Sequence, residues 1–226
     1  MELVTLNVSS HVSLEHVSHL WKQNDILVFI ADLKDYSTLD AGHLEDVEKE
    51  HLESLKTEYF RKRFKVSRFV LKHILCILLD KQSVFDVSLY KDKYGRLHVR
   101  NHDELNICIS YTENMSFLAI SKTEVGIDAE IRRSLSLKKA SKYLKTETSY
   151  DGRYATDLNL LTTWTLKEAY CKYSNRNIIS YLGKSLDTND IFYSGYFINN
   201  RYLLAVVTSS GKYTVSINYF EKIIPE

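Results

Sequence analysis

Residues 125–131, Val-Gly-Ile-Asp-Ala-Glu-Ile, alternate between apolar and polar side chains, and the rest of the chain is organised around them. This alternation predicts a half-buried β-strand, because successive side chains of a strand point to opposite faces. Gly126, Asp128 and Glu130 share the polar face. Two residues of strand advance by about 6.6 Å, so the two carboxylates can converge on one cation.

A second stretch, residues 164–172, reads Trp-Thr-Leu-Lys-Glu-Ala-Tyr-Cys-Lys and lacks glycine and proline. It predicts a helix, in which residues four apart lie one above the other. Trp164, Glu168 and Lys172 therefore share one face. Lys172 has two interpretations: an ion-pair partner of Glu168, worth a few tenths of a kcal/mol, or a ligand of a bound phosphate. Trp164 is expected to serve packing.

Together the two stretches supply three carboxylates and one ammonium group. Carboxylate oxygens are the ligands that magnesium prefers, and a lysine beside them suits a phosphate chain held on that ion. The alternative for Asp128 and Glu130 is a solvated strand face without function. The third carboxylate, Glu168, favours the metal site.

The order and separation of the two stretches resemble the paired signature of the 4′-phosphopantetheinyl transferases. A Gly-Ile-Asp-x-Glu stretch is followed about forty residues later by Trp-Thr-x-Lys-Glu-Ala-x-x-Lys. The single-chain, surfactin-synthetase-activating type is the closer match. The resemblance implies a transferase that moves the phosphopantetheine arm of coenzyme A to a serine of an apo-carrier protein and releases adenosine 3′,5′-bisphosphate. It also implies an α+β fold of two similar α+β halves related by a pseudo-twofold axis, with the active site in the cleft between them. We expect these halves to span residues 1–122 and 123–226.

The resemblance assigns roles to the acidic residues and to the lysine. Asp128, Glu130 and Glu168 match the family's metal ligands, for Mg²⁺ or alternatively Mn²⁺. Glu168 is the expected general base toward the carrier serine, directly or through a water molecule. Lys172 is expected to contact the phosphates or the leaving bisphosphate, and Asp128 completes the catalytic set.

The resemblance also implies a coenzyme A site with a basic lining. The expected binding residues are Lys56, Arg68, Arg96, Ser110, Tyr111, Asp128 and Lys172. Three positions depart from the family pattern. Tyr111 stands where relatives have histidine and brings no positive charge, so we expect weaker binding of coenzyme A or weaker discrimination of its ribose phosphate. Arg96 replaces a lysine. The segment 174–177, Ser-Asn-Arg-Asn, replaces a common Gly-Lys-Gly, so the loop after the helix needs another backbone path.

A basic stripe, comprising Arg61, Lys65, Arg68 and Lys72, occurs at spacings of three and four residues on a predicted helix. Four aligned like charges repel one another, and a surface helix normally interleaves them with acids. The interpretations are a solvated helix face, a polyphosphate ligand, an acidic carrier protein, or nucleic acid. The last is disfavoured by the formal net charge of +1.

Composition narrows the class of protein. The chain has 226 residues and 44% hydrophobic residues, which suffices for one large or two small globular domains. Three widely spaced cysteines, Cys76, Cys108 and Cys171, predict buried thiols in a reducing compartment. The longest apolar run, Ile74 to Leu79, is too short to span a bilayer. We expect a cytoplasmic monomer that binds a carrier protein and coenzyme A but neither nucleic acid nor membrane. The alternative is a catalytically degenerate relative that binds carrier proteins or coenzyme A.

Patterns elsewhere in the chain predict its other elements. Helical periodicity runs from Leu44 to Asp80 with one break, and a second helix is expected over Asp157 to Tyr173. A short helix is expected near residues 136–144, ahead of a family-like Lys145-Thr146-Glu147. An antiparallel meander is expected from the strands 105–110, 115–121 and 124–131. Hairpins are predicted at Tyr94-Gly95, at Asn199-Asn200, and at residues 209–211.

Overall fold

A computed structural model of the chain describes residues 3–132, 157–181, 183–184, 186, 190–209 and 211–224. The helix predicted near residues 136–144 and the stretch 145–147 lie outside the described residues. The described part has a mixed α/β architecture, as the sequence predicted.

The described part of the chain contains eleven short strands and four α-helices. The strands are β1 (Leu3–Leu6), β2 (His11–Val12), β3 (Ile26–Asp32), β4 (Leu89–Lys91), β5 (Leu97–Val99), β6 (Asn106–Thr112), β7 (Met115–Ser121), β8 (Val125–Ile131), β9 (Ile191–Ile198), β10 (Tyr202–Ser209) and β11 (Val215–Phe220). The helices are α1 (Leu14–Gln23), α2 (Asp46–Ser54), α3 (Glu58–Leu78) and α4 (Asp157–Tyr173). Short 3-10 helices occur at Leu33–Tyr36, Val84–Asp86 and Ile178–Ser180.

The described strands form three sheets. A four-stranded sheet has the order β1-β9-β10-β8, and a five-stranded sheet has the order β2-β11-β3-β7-β6. The hairpin of β4 and β5 makes the third sheet, with its turn at Tyr94-Gly95 as predicted.

The two larger sheets pack face to face between helices. Ile26, Val28 and Ile30 of β3 belong to a core shared with β8 and β10. The intervening residues Leu27 and Phe29 face the other way and pack on α3. Strand β10 likewise buries alternate residues on opposite faces, against the second sheet and against α4. The layers therefore run helix, sheet, sheet, helix.

Two predicted strand pairings are wrong. Strand β8 does not extend the meander of β6 and β7, but pairs with β10 in the other sheet. Strand β11 does not form a hairpin with β10, but pairs in parallel with β3 and β2. The turn residues favoured pairing between strands that are neighbours in sequence. In the structure β3 and β10 are buried on both faces, and this burial requires two stacked sheets with strands drawn from distant parts of the chain.

The first and the last described strand each lie in the sheet formed mainly by the other half of the chain. Strand β1 pairs with β9 in the four-stranded sheet, and β11 lies in the sheet of β3, β6 and β7. The division into residues 1–122 and 123–226 stays a prediction, but each of the two larger sheets contains one strand from across that boundary.

Two of the predicted helical segments are confirmed. The helix expected at Asp157 to Tyr173 is α4, and the helical run before Asp80 is divided at residues 55–57 into α2 and α3. Thr57 begins α3 as its N-cap, accepting a hydrogen bond from the amide of Phe60. Among the described residues, none of the helices combines the length and the apolarity that a membrane span requires.

Candidate active site

Strand β8 carries the acidic residues and is held at the junction of the two sheets. Its edge facing away from β10 donates amide hydrogen bonds to side chains of β6. Ile127 N lies 3.2 Å from Cys108 Sγ, and Ala129 N lies 3.1 Å from Ser110 Oγ. Ile131 N repeats the contact with Thr112 Oγ1 at 3.1 Å. These three bonds satisfy backbone donors that would otherwise be exposed at a strand edge.

Gly126 allows α4 to pack directly on β8. A Cβ atom at this position would lie 2.1 Å from the carbonyl oxygen of Ala169 and 2.4 Å from the amide nitrogen of Tyr173. Both contacts are with helix backbone, so no side-chain movement could relieve them. The glycine is therefore required for close approach of helix and strand, which brings Lys172 over Asp128.

Asp128, Lys172 and Ser110 form a hydrogen-bonded triangle where α4 crosses β8. Lys172 Nζ lies 2.8 Å from Asp128 Oδ1 and 3.1 Å from Ser110 Oγ. Ser110 Oγ also donates to Asp128 Oδ1 at 2.8 Å. Burial disfavours the charged Lys172 ammonium, but Asp128, Cys108 and Glu168 together outweigh this effect, and the pKa of Lys172 is raised above its ordinary value.

Glu168 lies one helical turn before Lys172 and is half-buried. Burial raises the pKa of Glu168 from 4.5 to about 7, helped by the negative charges of Asp128 and Glu130 and opposed by Lys172. A carboxyl group with this pKa exchanges its proton near neutral pH, which suits a general base. The three carboxylates predicted to act together thus influence one another electrostatically.

The fit of a divalent cation can be judged from the carboxylates themselves. Within the described residues, no group of three His, Cys, Asp or Glu side chains is gathered closely enough to form a metal site as it stands. Asp128 Oδ2, however, is buried and has no hydrogen-bond partner, and the pKa of Glu168 is raised to about 7 by burial and by the neighbouring negative charges of Asp128 and Glu130. An oxygen-only donor set with an unsatisfied oxygen and surplus negative charge fits a hard cation such as Mg²⁺.

A cavity of about 490 Å³ opens beside this cluster. Its walls come from α3, from the β4–β5 hairpin, from β6, and from the end of α4. Basic side chains predominate among its charged lining residues, which are Arg68, Lys91, Arg96, Lys172 and Arg176. Its volume lies within the range of small-molecule sites, and its charge suits an anionic ligand.

Only some of the predicted coenzyme A residues lie in the cavity wall. Arg68, Arg96, Tyr111 and Lys172 line the cavity, whereas Lys56 is exposed between α2 and α3 and is not part of its wall. Ser110 and Asp128 lie behind the wall, in the triangle with Lys172.

Arg96 serves the end of α4 as well as the cavity. Its guanidinium donates to the carbonyl oxygens of Lys172, at 2.7 Å, and of Tyr173, and it lies 3.5 Å from a carboxylate oxygen of Glu124. Carbonyl groups in the last turn of a helix have no hydrogen-bond partner within it. Arg96 therefore supplies the missing donors at the end of α4, where Lys172 lies. That Arg96 takes the place of a phosphate-binding lysine stays a prediction.

The interpretation of the basic stripe as a solvated face is wrong for its second half. Lys72 is fully buried and Arg68 nearly so. Lys72 Nζ lies 2.7 Å from Glu48 Oε2, and Arg68 Nε lies 3.0 Å from Glu48 Oε1. Glu45 adds a second carboxylate 3.6 Å from Lys72 Nζ. Glu48 of α2 and its N-cap residue Glu45 thus pair with Arg68 and Lys72 of α3, so half of the basic stripe is buried in ion pairs.

Lys65 and Arg61, the other two residues of the stripe, also have partners in the protein. Lys65 Nζ donates to the carbonyl oxygen of Leu39 at 2.9 Å, and Arg61 pairs with Glu58 at 2.8 Å. Neither side chain lines the cavity.

Several residues of this region were missed by the sequence analysis. They are Glu45 and Glu48, which balance the stripe; Cys108 and Thr112, which hold β8; and Arg63, which stacks on Tyr111. The alternate polar residues Cys108, Ser110 and Thr112 on one strand face were a usable signal, because a buried face rarely carries hydroxyl groups without partners.

The three cysteines all lie within the described residues and are free thiols. Cys108 and Cys171 are buried as predicted, whereas Cys76 is only half-buried. Burial, with help from the charge of Glu168, raises the pKa of Cys171 to about 11. A thiol with so high a pKa is unreactive at neutral pH.

Comparison with known proteins leaves the family of the chain open. No model of a known protein family matches the sequence, and no curated protein is significantly similar to it.

Proposed function

We propose that this protein is a Mg²⁺-dependent 4′-phosphopantetheinyl transferase that modifies a serine of an acyl, peptidyl or aryl carrier protein. One observation carries the proposal: the two stretches that resemble the family signature meet, with Lys172 Nζ 2.8 Å from Asp128 Oδ1 at the edge of a basic cavity. Sequence separation alone does not bring a strand residue and a helix residue about forty positions apart into contact.

We further propose two similar α+β halves related by a pseudo-twofold axis, with this cavity as the cleft between them. The cavity is lined by residues from both predicted halves. Arg68, Arg96 and Tyr111 precede the predicted boundary, whereas Cys171 and Lys172 follow it. A ligand in this cavity would therefore touch both halves.

In this proposal Asp128, Glu130 and Glu168 hold Mg²⁺, with Mn²⁺ as an alternative. The ion, when bound, neutralises charge on the pyrophosphate of coenzyme A. The acidic residues then have distinct protein roles. Asp128 keeps Lys172 in position at the cavity wall, and Glu168 has a pKa of about 7 that suits proton acceptance.

In the proposed reaction, the carrier serine displaces adenosine 3′,5′-bisphosphate from the phosphorus of the pantetheine arm. The carrier serine hydroxyl loses its proton to Glu168, and its oxygen forms a bond to the phosphorus that bears the pantetheine arm. The bond from that phosphorus to the bridging oxygen breaks, and adenosine 3′,5′-bisphosphate leaves. The Lys172 ammonium, whose pKa is raised, is positioned to stabilise the negative charge of the leaving group.

A second candidate is a catalytically degenerate relative that binds coenzyme A or carrier proteins. The contacts of Arg68 with Glu48 and of Arg96 with the end of α4 favour it, because both predicted phosphate ligands already contact protein groups. The unsatisfied oxygen of Asp128 and the raised pKa of Glu168 favour catalysis. Both features cost stability, so a purely structural site would be more stable without these carboxylates.

The test is transfer of a fluorescent coenzyme A arm to several purified apo-carriers, followed by mass spectrometry. Wild-type protein should add one phosphopantetheine group to one serine in the presence of Mg²⁺ and none with a chelator. Asp128→Asn and Glu168→Gln should each lower the rate by about a hundredfold or more, since each removes a ligand and a charge from the reacting centre.

Asp46→Asn is the matched control, because its side chain is 95% exposed on α2, outside the cavity wall. This variant should keep the wild-type rate. Thermal melting of all variants separates loss of chemistry from loss of folding. Full transfer by either the Asp128→Asn or the Glu168→Gln variant would refute the assignment, and coenzyme A binding without transfer by wild type would favour the degenerate relative.

A further inference from the structure

The β4–β5 hairpin is joined to the end of α4 by a hydrogen bond between two side chains. Asn175 Nδ2 donates to Asp92 Oδ2 at 2.8 Å. Asp92 directly follows β4, and Asn175 is the second residue after α4. Asn175 lines the cavity, as do Tyr94 and Arg96 of the hairpin. The bond therefore connects two walls of one cavity, which come from segments 83 residues apart in sequence.

The carboxylate of Asp92 is held in place by the hairpin itself. Its Oδ1 atom accepts the backbone amides of Tyr94, at 2.8 Å, and of Arg96, at 3.0 Å. Its Oδ2 atom lies 3.3 Å from Nε2 of His98. Partial burial raises the pKa of Asp92, but its side-chain and backbone donors outweigh this effect and lower it to about 2. Asp92 is therefore ionised at neutral pH and offers Asn175 a charged acceptor in a fixed position.

Asn175 occupies a backbone position that glycine adopts most readily. Its φ angle is +52°, in the left-handed region, and the amide of Arg176 donates to the carbonyl oxygen of Cys171 at 2.9 Å. This is the usual way of ending a helix with glycine, and asparagine tolerates the same conformation. A glycine would keep this backbone path but would have no amide group for Asp92. The side chain of Asn175 thus adds a contact that the turn itself does not need.

Arg96 crosses the same interface in the opposite direction. Its guanidinium extends from the hairpin to the carbonyl oxygen of Lys172, whereas the amide of Asn175 extends from the end of α4 to the hairpin. One such bond would leave the hairpin free to pivot. Two bonds from opposite sides fix both its position and its angle.

We propose that Asp92 and Asn175 are positioning residues, whose hydrogen bond holds the hairpin against the end of α4 and so orders the cavity wall before the ligand binds. The inference rests on the proposed function for the identity of that ligand, coenzyme A. A wall that is already ordered raises affinity, because binding then has no loop to immobilise. The pair acts on the ligand through Arg96 and Tyr94, the hairpin residues that line the cavity.

Thiol labelling tests the bond without any enzymatic activity. Cys108 and Cys171 are buried at the cavity wall, and Cys76 is a half-buried thiol of α3 outside it. Asn175→Gly should increase the rate at which N-ethylmaleimide modifies Cys108 and Cys171 by about tenfold, the effect of losing one hydrogen bond to a charged group on local opening. The rate at Cys76 should stay at its wild-type value. Peptide mass spectrometry measures each rate.

Transfer kinetics test the effect on the ligand. Asn175→Gly should raise the KM for coenzyme A by about tenfold and change kcat by less than about twofold, because binding must then order the hairpin while the bound state is unaltered. Asn175→Asp should raise KM at least as much, since it sets two carboxylates against each other. A purely structural role would lower the melting temperature and leave KM unchanged.

A double variant restores the pair with its groups exchanged. Asp92→Asn combined with Asn175→Asp again provides one amide donor and one carboxylate acceptor. It should return KM and both labelling rates to within about twofold of wild type, as expected for two residues that interact directly.

Asn101→Gly is the matched control, because Asn101 is an exposed asparagine with a φ angle of +62° outside the cavity wall. It should keep the wild-type KM and labelling rates. Wild-type values in Asn175→Gly, equal acceleration at Cys76, or no rescue by the double variant would overturn the positioning role and leave the transferase proposal intact. If the wild-type protein transfers nothing, the proposed function fails, and the labelling rates still show whether the bond closes the cavity.

Discussion

Two clusters of charged residues lie on either side of the cavity, and they differ in charge balance. The balanced cluster consists of Glu45, Glu48, Arg68 and Lys72, in which two carboxylates meet two cations. The acidic cluster consists of Asp128, Glu130, Glu168 and Lys172, in which three carboxylates meet one cation.

We interpret the balanced cluster as structural and the acidic cluster as the site of the proposed function. Buried charges are tolerated in a fold when opposite charges accompany them, as in the balanced cluster. The acidic cluster has three carboxylates for one cation, and burial together with the negative charges of Asp128 and Glu130 raises the pKa of Glu168 to about 7. Surplus charge of this kind costs stability, so its presence beside a basic cavity favours a ligand or a cation.

The largest expected effect is a loss of stability when the balanced cluster loses a cation. Lys72→Met should lower the free energy of unfolding by about 3–5 kcal/mol, because it leaves Glu48 buried with one cation fewer. Urea denaturation measures the change. Lys49→Met is the control, since Lys49 forms only an exposed pair with Asp46 and should cost less than about 0.5 kcal/mol. Equal effects of both changes would mean that the cluster is not structural.

The second prediction concerns assembly of the acidic cluster. Gly126→Ala should destabilise the protein by about 3 kcal/mol and abolish transfer, because the added methyl group collides with the backbone of α4 at Ala169 and Tyr173. Gly42→Ala is the matched control, where the new methyl group would meet only the exposed side chain of Asp40 at 3.2 Å. Denaturation and the transfer assay would contradict the prediction if the Gly126→Ala variant matched the Gly42→Ala variant.

The smallest expected effect is a pH dependence of stability that comes from Glu168 in the acidic cluster. The folded protein holds a proton on Glu168 up to about pH 7, whereas the unfolded chain releases it near 4.5. Stability from this group is therefore complete below about pH 4.5 and is lost as pH rises through about 7. Between these values metal-free wild type should lose about 1–2 kcal/mol relative to Glu168→Gln, discounted for partial exposure.

Paired urea titrations of the two proteins at several pH values, in a chelator, measure this difference. Added Mg²⁺ should reduce the loss, since binding to the folded state opposes it. A pH dependence shared by both proteins would assign the effect to another group.

The sequence by itself determined the strand with Asp128, the helix with Glu168 and Lys172, and the helical run that became α2 and α3. These predictions succeed because alternation and helical spacing are local consequences of backbone geometry. The family resemblance rests on the same local patterns and stays a prediction.

Only the tertiary structure decided which strands pair and which charges meet. Strand β8 joins β10 rather than β7, and Glu48 on α2 neutralises Arg68 and Lys72 on α3. Both outcomes depend on contacts between segments distant in sequence, and burial of two sheet faces selects among pairings that turn residues alone permit. The stacking of Arg63 on Tyr111 has the same origin, since nothing in the spacing of residues 63 and 111 indicates that they touch.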